Sequence, residues 1–224
     1  MITTICESDQ EILSAIIELY MPHGIDIDPT YSTGGFYKSG IIPQPDLKLD
    51  INPQVPGVLQ ADCCDLRFWL PDDSVYSVVI DLPFIHAPGK ESIMGNRFSG
   101  FKSQKELREV YATTAIEAYR YLSMGGIIAW KLMDIVESGK QNWTHVFMVN
   151  HCWLTGFDLE DLFILGKRSG KPVGHNHNRQ VHAKKAHCYW LVFRKVVAPP
   201  KLKPDPEVED PQRLLEDLTF RIHR

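Results

Sequence analysis

Four short apolar runs in this chain each close on an aspartate. Residues 25–28, 47–50, 58–62 and 75–81 end at Asp28, Asp50, Asp62 and Asp81. The last, VYSVVID, is the strongest, being β-branched and apolar. Runs of this kind read as internal strands of a parallel sheet covered on both faces. Helical segments alternate with them. Ser8 can cap a helix over 8–20, with Glu11 at the capping-box position and Ile12, Ile16, Ile17 and Tyr20 at helical spacing, and Gly24 to end it. Residues 103–122 give the clearest helix, with Leu107, Val110, Tyr111, Thr114, Ile116 and Ala118 on a broad apolar face. Gly125 and Gly126 end it, and residues 127–131 read as a further strand. A helix over 143–155 stops at Gly156. Residues 159–165 and 188–194 are strand-like, and the polar, Gly-, His- and Asn-rich stretch between them has no packed helix, so they read as an antiparallel hairpin with a long loop. The expected fold is α/β: a mainly parallel sheet of about seven strands, an antiparallel edge hairpin, and helices on both faces. Ligands of open α/β sheets bind at the carboxyl edge, where the four aspartates fall.

Composition narrows the function classes. The chain has 224 residues, 44% hydrophobic and 23% charged, with formal net charge −4. A packed core is expected, and a globally basic, histone-like binder is excluded. Residues 1–197 read as one domain and 198–224 as a Pro-rich linker with a short charged helix over 211–220. The N-terminal residues show no secretory pattern, no stretch is apolar enough to span a membrane, and Cys6, Cys63, Cys64, Cys152 and Cys188 lack CxxC spacing. They read as reduced thiols in a cytoplasmic protein of a bacterial or phage-infected cell.

Two segments carry chemistry. DPTYSTGGFY follows the first of the four strands and places Gly34 and Gly35 where backbone can approach a ligand; it is neither GxGxxG nor a P-loop. DLPF, Asp81 to Phe84, follows the fourth. Together they resemble the class I S-adenosylmethionine-dependent DNA methyltransferases that modify exocyclic amines, adenine N6 or cytosine N4. Those enzymes carry an acid or Asn, two prolines and an aromatic after the fourth strand. DLPF keeps Asp81, Pro83 and Phe84 and has Leu82 at the first proline position. Asp28, Pro29, Gly34, Gly35 and Phe36 match the glycine loop of the adenine methylases, with Ser32 and Thr33 as small substitutes. The likeness runs over about residues 25–194, includes RYLSMGGIIAWK and QVHAKKAHCYWLVFRK, and is similar to small phage-type methylases.

The resemblance implies a Rossmann-like methyltransferase with S-adenosylmethionine as cofactor and DNA as partner. Asp28, Pro29, Thr30, Tyr31, Gly34 and Gly35 would surround the methionine end of the cofactor. Asp50 would accept from its ribose, and Asp62, or Asp65 in its stead, would bond its adenine. Asp81, Leu82, Pro83 and Phe84 would hold the target base. The chemistry agrees. An exocyclic amine is a poor nucleophile; bonds to Asp81 and a nearby carbonyl would raise its reactivity, and Phe84 offers a face for a flipped base. No metal is needed. C5 methylation would need a Pro-Cys pair, which the sequence lacks.

Two basic loops are candidate nucleic-acid contacts. One carries Lys90, Arg97 and Lys102; the other carries Lys167, Arg168, Lys171, Arg179, Lys184 and Lys185 and no acid. Lys131, closing the fifth strand, is a candidate for phosphate or substrate contact. His175, His177, His182 and His187 read as surface or nucleic-acid-facing groups rather than metal ligands. Adenine N6 is favoured over cytosine N4. RNA is an alternative acceptor, and a non-catalytic cofactor-binding module is an alternative role. With no room for a separate recognition domain, either the two basic loops suffice for a short or relaxed specificity, or a second subunit or homodimer supplies recognition.

Overall fold

The computed structural model describes residues 1–84, 103–137, 139–166, 182–183 and 185–197. Its ten strands are β1 (Ile5–Cys6), β2 (Ile27–Asp28), β3 (Leu47–Asp50), β4 (Leu59–Gln60), β5 (Val75–Ile80), β6 (Leu122–Leu132), β7 (Ile135–Glu137), β8 (Lys140–Asn142), β9 (Phe157–Gly166) and β10 (His187–Lys195). Its helices are α1 (Asp9–Tyr20), α2 (Gln104–Tyr121) and α3 (Thr144–Thr155). Eight strands form one sheet in the order β1-β9-β10-β6-β5-β2-β3-β4. Every neighbouring pair is parallel except the two that involve β10, which alone runs against the rest. This is the Rossmann-like class I methyltransferase arrangement, with a reversed strand inserted beside β6.

The strands alternate sides with period two, and both sides are buried. Val78, Ile80, Ile128, Trp130, Leu191 and Phe193 pack with Leu107, Tyr111, Ala115 and Ala118 of α2 and Met148 and Cys152 of α3. Val79, Ile127, Ala129, Trp190 and Val192 pack with Ile12, Leu13 and Ile16 of α1. Helices on both faces therefore explain why both faces of these strands carry apolar side chains, with Ser77 in β5 and Lys131 in β6 as buried polar exceptions. Ser8 caps α1 and Ser103 caps α2, each accepting from a backbone N–H three residues on, at 3.2 Å.

The structure departs from the sequence reading at the sheet margins. The expected edge hairpin is flanked by β1, which pairs with β9 through Ile5 and Cys6 and so covers it. The third strand shrinks from 58–62 to the exposed Leu59–Gln60, because a chain at the sheet edge has one hydrogen-bonding neighbour. Sheet pairing of β6 begins at Leu122, ahead of the Gly125-Gly126 pair, with a register shift between Val75 and Ser77. The β7–β8 hairpin was not expected. Among the described residues no helix is long and apolar enough to cross a membrane. Residues 198–224, the expected linker and terminal helix, lie outside the described residues.

Candidate active site at the carboxyl edge of the sheet

The loop after β2 is built around Asp28. This carboxyl is 1% exposed. It accepts from the Thr30 N–H at 2.9 Å, the Thr30 hydroxyl at 3.1 Å and the Tyr37 hydroxyl at 2.6 Å. Tyr37 stacks on Tyr31, ring centroids 5.2 Å apart, and Tyr31 donates to Gln44 at 2.6 Å. The turn tightens at Gly34, whose φ is +69°; a Cβ there would lie 2.5 Å from the Tyr31 hydroxyl. Gly34 thus lets the Tyr31 ring close under the loop, whereas a Cβ at Gly35 would meet nothing within 4 Å. Pro29 is buried, and Gly35 is exposed at the loop's surface.

Asp50 ties this loop to β3. Its carboxylate accepts from the Ser32 N–H at 2.7 Å and the Asn52 N–H at 2.8 Å. Burial raises its pKa, against the pull of these two amides. Asp62 sits farther out, exposed after β4, and accepts from the Cys64 N–H at 2.9 Å. Asp65 closes the same turn, its N–H donating to the Asp62 carbonyl at 2.9 Å. Asp62, Cys63 and Cys64 bring one potential ligand atom each within 4.8 Å of one another. Both thiols instead approach the Thr114 hydroxyl, at 3.4 and 3.6 Å.

The two motif segments meet through Thr30. Its hydroxyl donates to Asp28 and accepts from the Asp81 N–H at 2.9 Å. Asp81 lies 3.9 Å from the Lys131 ammonium, which also reaches Asp9 at 3.0 Å. Asp9 accepts from the Trp190 indole N–H at 2.9 Å, and Phe36 and Trp190 place their rings 5.0 and 5.8 Å from the same ammonium. Burial lowers the Lys131 pKa, but Asp81 and Asp9 more than offset this, and the net shift is upward. Lys131 is thus a permanent cation in the wall of the site, 8% exposed. Lys131, expected to meet phosphate or substrate, has its charge engaged by Asp9 and Asp81.

Beyond Asp81, Leu82 is buried at 7% exposure and Pro83 and Phe84 are half-buried, Phe84 against the α1-side core. Tyr111 of α2, fully buried and stacked on Trp130, points its hydroxyl at two carbonyls, Leu82 at 3.3 Å and Pro83 at 3.1 Å. Burial pushes its pKa well up, so it stays a donor. The Leu82 carbonyl is therefore partly engaged rather than wholly free. Asp9, Tyr111 and Trp190 were not singled out from the sequence, and only the apolar face containing Tyr111 hinted at any of them.

Of the basic candidates, Lys185 holds its ammonium 4.2 Å over the Trp143 ring. Lys90, Arg97, Lys102, Lys167, Arg168, Lys171, Arg179 and Lys184 lie outside the described residues, as do His175 and His177. His182 is 2.8 Å from the Gly139 carbonyl, and His187 is 2.8 Å from the Tyr189 hydroxyl. A cleft of about 510 Å³ between β1 and α1 is lined by Ile2, Ile5, Gln10, Ser14 and Ile41 and holds none of the strand-end aspartates.

Asp28 makes folding sensitive to pH. Burial raises its pKa from 3.8 to about 7, over the downward pull of Tyr37 and Thr30. The folded chain then keeps a proton that the unfolded chain has lost, so this group opposes folding increasingly as pH rises from about 4 to about 7. The contribution reaches at most about 4 kcal/mol. Asp28→Asn is expected to gain stability relative to wild type as pH rises through that window, measured by urea midpoints. Parallel pH profiles would contradict this.

No protein family and no curated protein matches the chain in sequence. Solved structures do match. One is a Thermus thermophilus protein described as a DNA modification methylase, complexed with S-adenosyl-L-methionine; identity is 19%, coverage 70% of this chain and 63% of that one, TM-score 0.42. TrmN from Thermus thermophilus matches at 13% identity over 85% of this chain and 50% of its own, TM-score 0.49. PvuII DNA methyltransferase, cytosine-N4-specific, matches at 17% identity over 63% and 49%, TM-score 0.45. The chain spans less than two thirds of the length of each of these three. The fold assignment rests on the strand order itself.

Proposed function

We propose that this chain binds S-adenosylmethionine at the carboxyl edge of β2 and β3 and transfers its methyl group to an exocyclic base amine, in DNA rather than RNA and at adenine N6 in preference to cytosine N4. The observation that carries this reading is the Thr30 hydroxyl, which joins Asp28 in the glycine loop to Asp81 at the head of DLPF. A cofactor seated on the loop and an amine held at Asp81 are then placed by one rigid unit, which is what an in-line displacement needs.

In that reading the exposed side of the Gly35 turn meets the methionine end, while Asp28 and Tyr31 hold the loop from beneath. Asp50 would accept from the ribose hydroxyls and Asp62 would bond the adenine. The amine N–H donates to the Asp81 carboxylate, which faces the Lys131 ammonium. A second N–H donates to a carbonyl of the Leu82–Pro83 turn, and Phe84 stacks on the base. The nitrogen lone pair forms the new N–C bond as the C–S bond breaks, its electron pair remaining on sulfur as a thioether. The ammonium product then loses a proton to Asp81 or water. The preference for DNA rests on the overall resemblance to DNA amino-methyltransferases, and adenine over cytosine on the glycine loop.

Tyr111 supplies stiffness that a second proline would otherwise give. Tyr111→Phe keeps the ring on Trp130 and removes only the hydroxyl that clamps the loop. Its kcat is expected to fall about tenfold, the effect of one lost hydrogen bond in a site that must be held precisely. Cofactor affinity should not change. Equal turnover in variant and wild type would refute the clamp. Isothermal titration with S-adenosylmethionine tests the cofactor half of the proposal: saturable binding is expected, and its absence would overturn the reading.

A further inference from the structure

Four aromatic rings meet just past the carboxyl end of β6, and none has a role so far. Asp134, 1% exposed, lies 2.8 Å through Oδ1 and 2.7 Å through Oδ2 from the Nδ1 of His145 and accepts the His145 backbone N–H at 3.3 Å. A buried carboxylate is unfavourable unless paired, so this pair fixes the imidazole's orientation. The His145 ring stacks on Tyr189, centroids 4.3 Å apart and 28° between planes. Trp143 meets His145 edge-on at 6.3 Å, and His187 meets Tyr189 edge-on at 4.9 Å. Trp143 is 48% exposed and belongs to neither buried cluster. It stands at the N-cap of α3 without making a side-chain cap, so helix formation does not call for it. The ammonium of Lys185 covers its face.

Position gives this group a use. Tyr189 pairs with Leu132 on β6, next to Lys131, which contacts Asp81. β10 lies two strands from β5 in the sheet order, about 10 Å between strand axes, with Tyr189 packed on the α2–α3 side of the sheet. The cofactor side, β2 and β3, lies in the opposite direction. Residues 167–185, which lead to Lys185, contain lysines and arginines and no acid, in a chain of net charge −4.

We infer that Trp143, His145, Tyr189 and Lys185 form a stacking platform for single-stranded nucleic acid, receiving a base that flanks the one presented to Asp81. The inference rests on the proposed function for the identity of the neighbouring site. Lys185 moves from the Trp143 face to a phosphate, and a base takes its place on the ring. Only an unstacked base has a free face to offer, so the platform selects single strands over duplex.

Fluorescence anisotropy with a short fluorescein-labelled single-stranded oligodeoxynucleotide, without cofactor, tests this. Trp143→Ala should weaken binding about ten- to a hundred-fold, the range of one base–aromatic stack. Trp143→Phe should stay within about threefold of wild type. Lys185→Gln should lower the slope of log affinity against log salt by about one. Circular dichroism checks the fold; if Trp143→Ala unfolds, an unchanged salt slope in Lys185→Gln overturns the platform by itself. So does wild-type affinity in folded Trp143→Ala, no oligonucleotide binding by wild type, or equal affinity for a duplex of the same sequence. Failure of the methyltransferase reading is read separately, as absence of cofactor binding or transfer. A methylating enzyme whose Trp143→Ala variant binds the strand normally would overturn the platform alone.

Discussion

Asp81→Ala is expected to abolish methyl transfer, lowering it by about a thousandfold or more, while S-adenosylmethionine affinity stays within about twofold. The split follows from geometry. The Asp81 backbone N–H, which the variant keeps, is the group that bonds Thr30 and so the glycine loop. The carboxylate, which it loses, faces Lys131 and the open end of β5. Isothermal titration and a transfer assay on the same preparation separate the two. Equal loss of binding and transfer would mean that Asp81 serves the cofactor, and the amine-holding role would fall.

Lys131→Met is the second large effect, and it falls first on stability. The variant leaves Asp9 and Asp81 facing each other's charge across an apolar side chain. Removing one partner of a fully buried ion pair costs about 3–5 kcal/mol. Here the Asp9 and Asp81 side chains are 21% and 29% exposed, so solvent screens part of the loss and about 2 kcal/mol is expected. The pH signature is specific. The folded pKa of Lys131 is raised above the ordinary 10.5, so its stabilisation is complete below that value and is lost only as pH rises through the higher folded value. Urea denaturation should show a constant gap between variant and wild type around neutral pH that narrows in strong alkali. No gap at neutral pH would show that the ammonium contributes nothing net. Transfer should fall along with stability, because Asp81 loses the cation beside it.

How much of this was legible in the sequence depended on how far apart the partners lie. The central strands announced themselves, because the apolar stretches 78–80 of VYSVVID and 127–130 of GGIIAWKL are buried on both faces. β1, two residues long, has no pattern to read, and its place is set by β9, far along the chain. The three-residue strands β7 and β8 are equally silent. Asp28, Asp50, Asp62 and Asp81 could be found because strand ends are local features. The structure places all four at the expected edge, though Asp28 and Asp50 turn their oxygens toward the loop backbone and toward Thr30 and Tyr37.

Asp9 was hidden for a different reason. In the sequence it is one acid in the first turn of a helix, a common position. Its second role comes from Lys131 and Trp190, 122 and 181 residues away. Tyr111 read as core, which it is; nothing local says that its hydroxyl ends on the Leu82–Pro83 turn. Leu82 shows the same limit. As sequence it looks like lost stiffness, while in the fold the tyrosine from α2 restores part of it.

The central claim is that Asp81 and the glycine loop form one site for transferring a methyl group to a base amine. Transfer of labelled methyl from S-adenosylmethionine to unmethylated DNA, with RNA in parallel and nucleoside mass spectrometry of the products, tests it most directly. The expected product is N6-methyladenine in DNA. A protein that binds the cofactor yet labels neither nucleic acid would contradict the account.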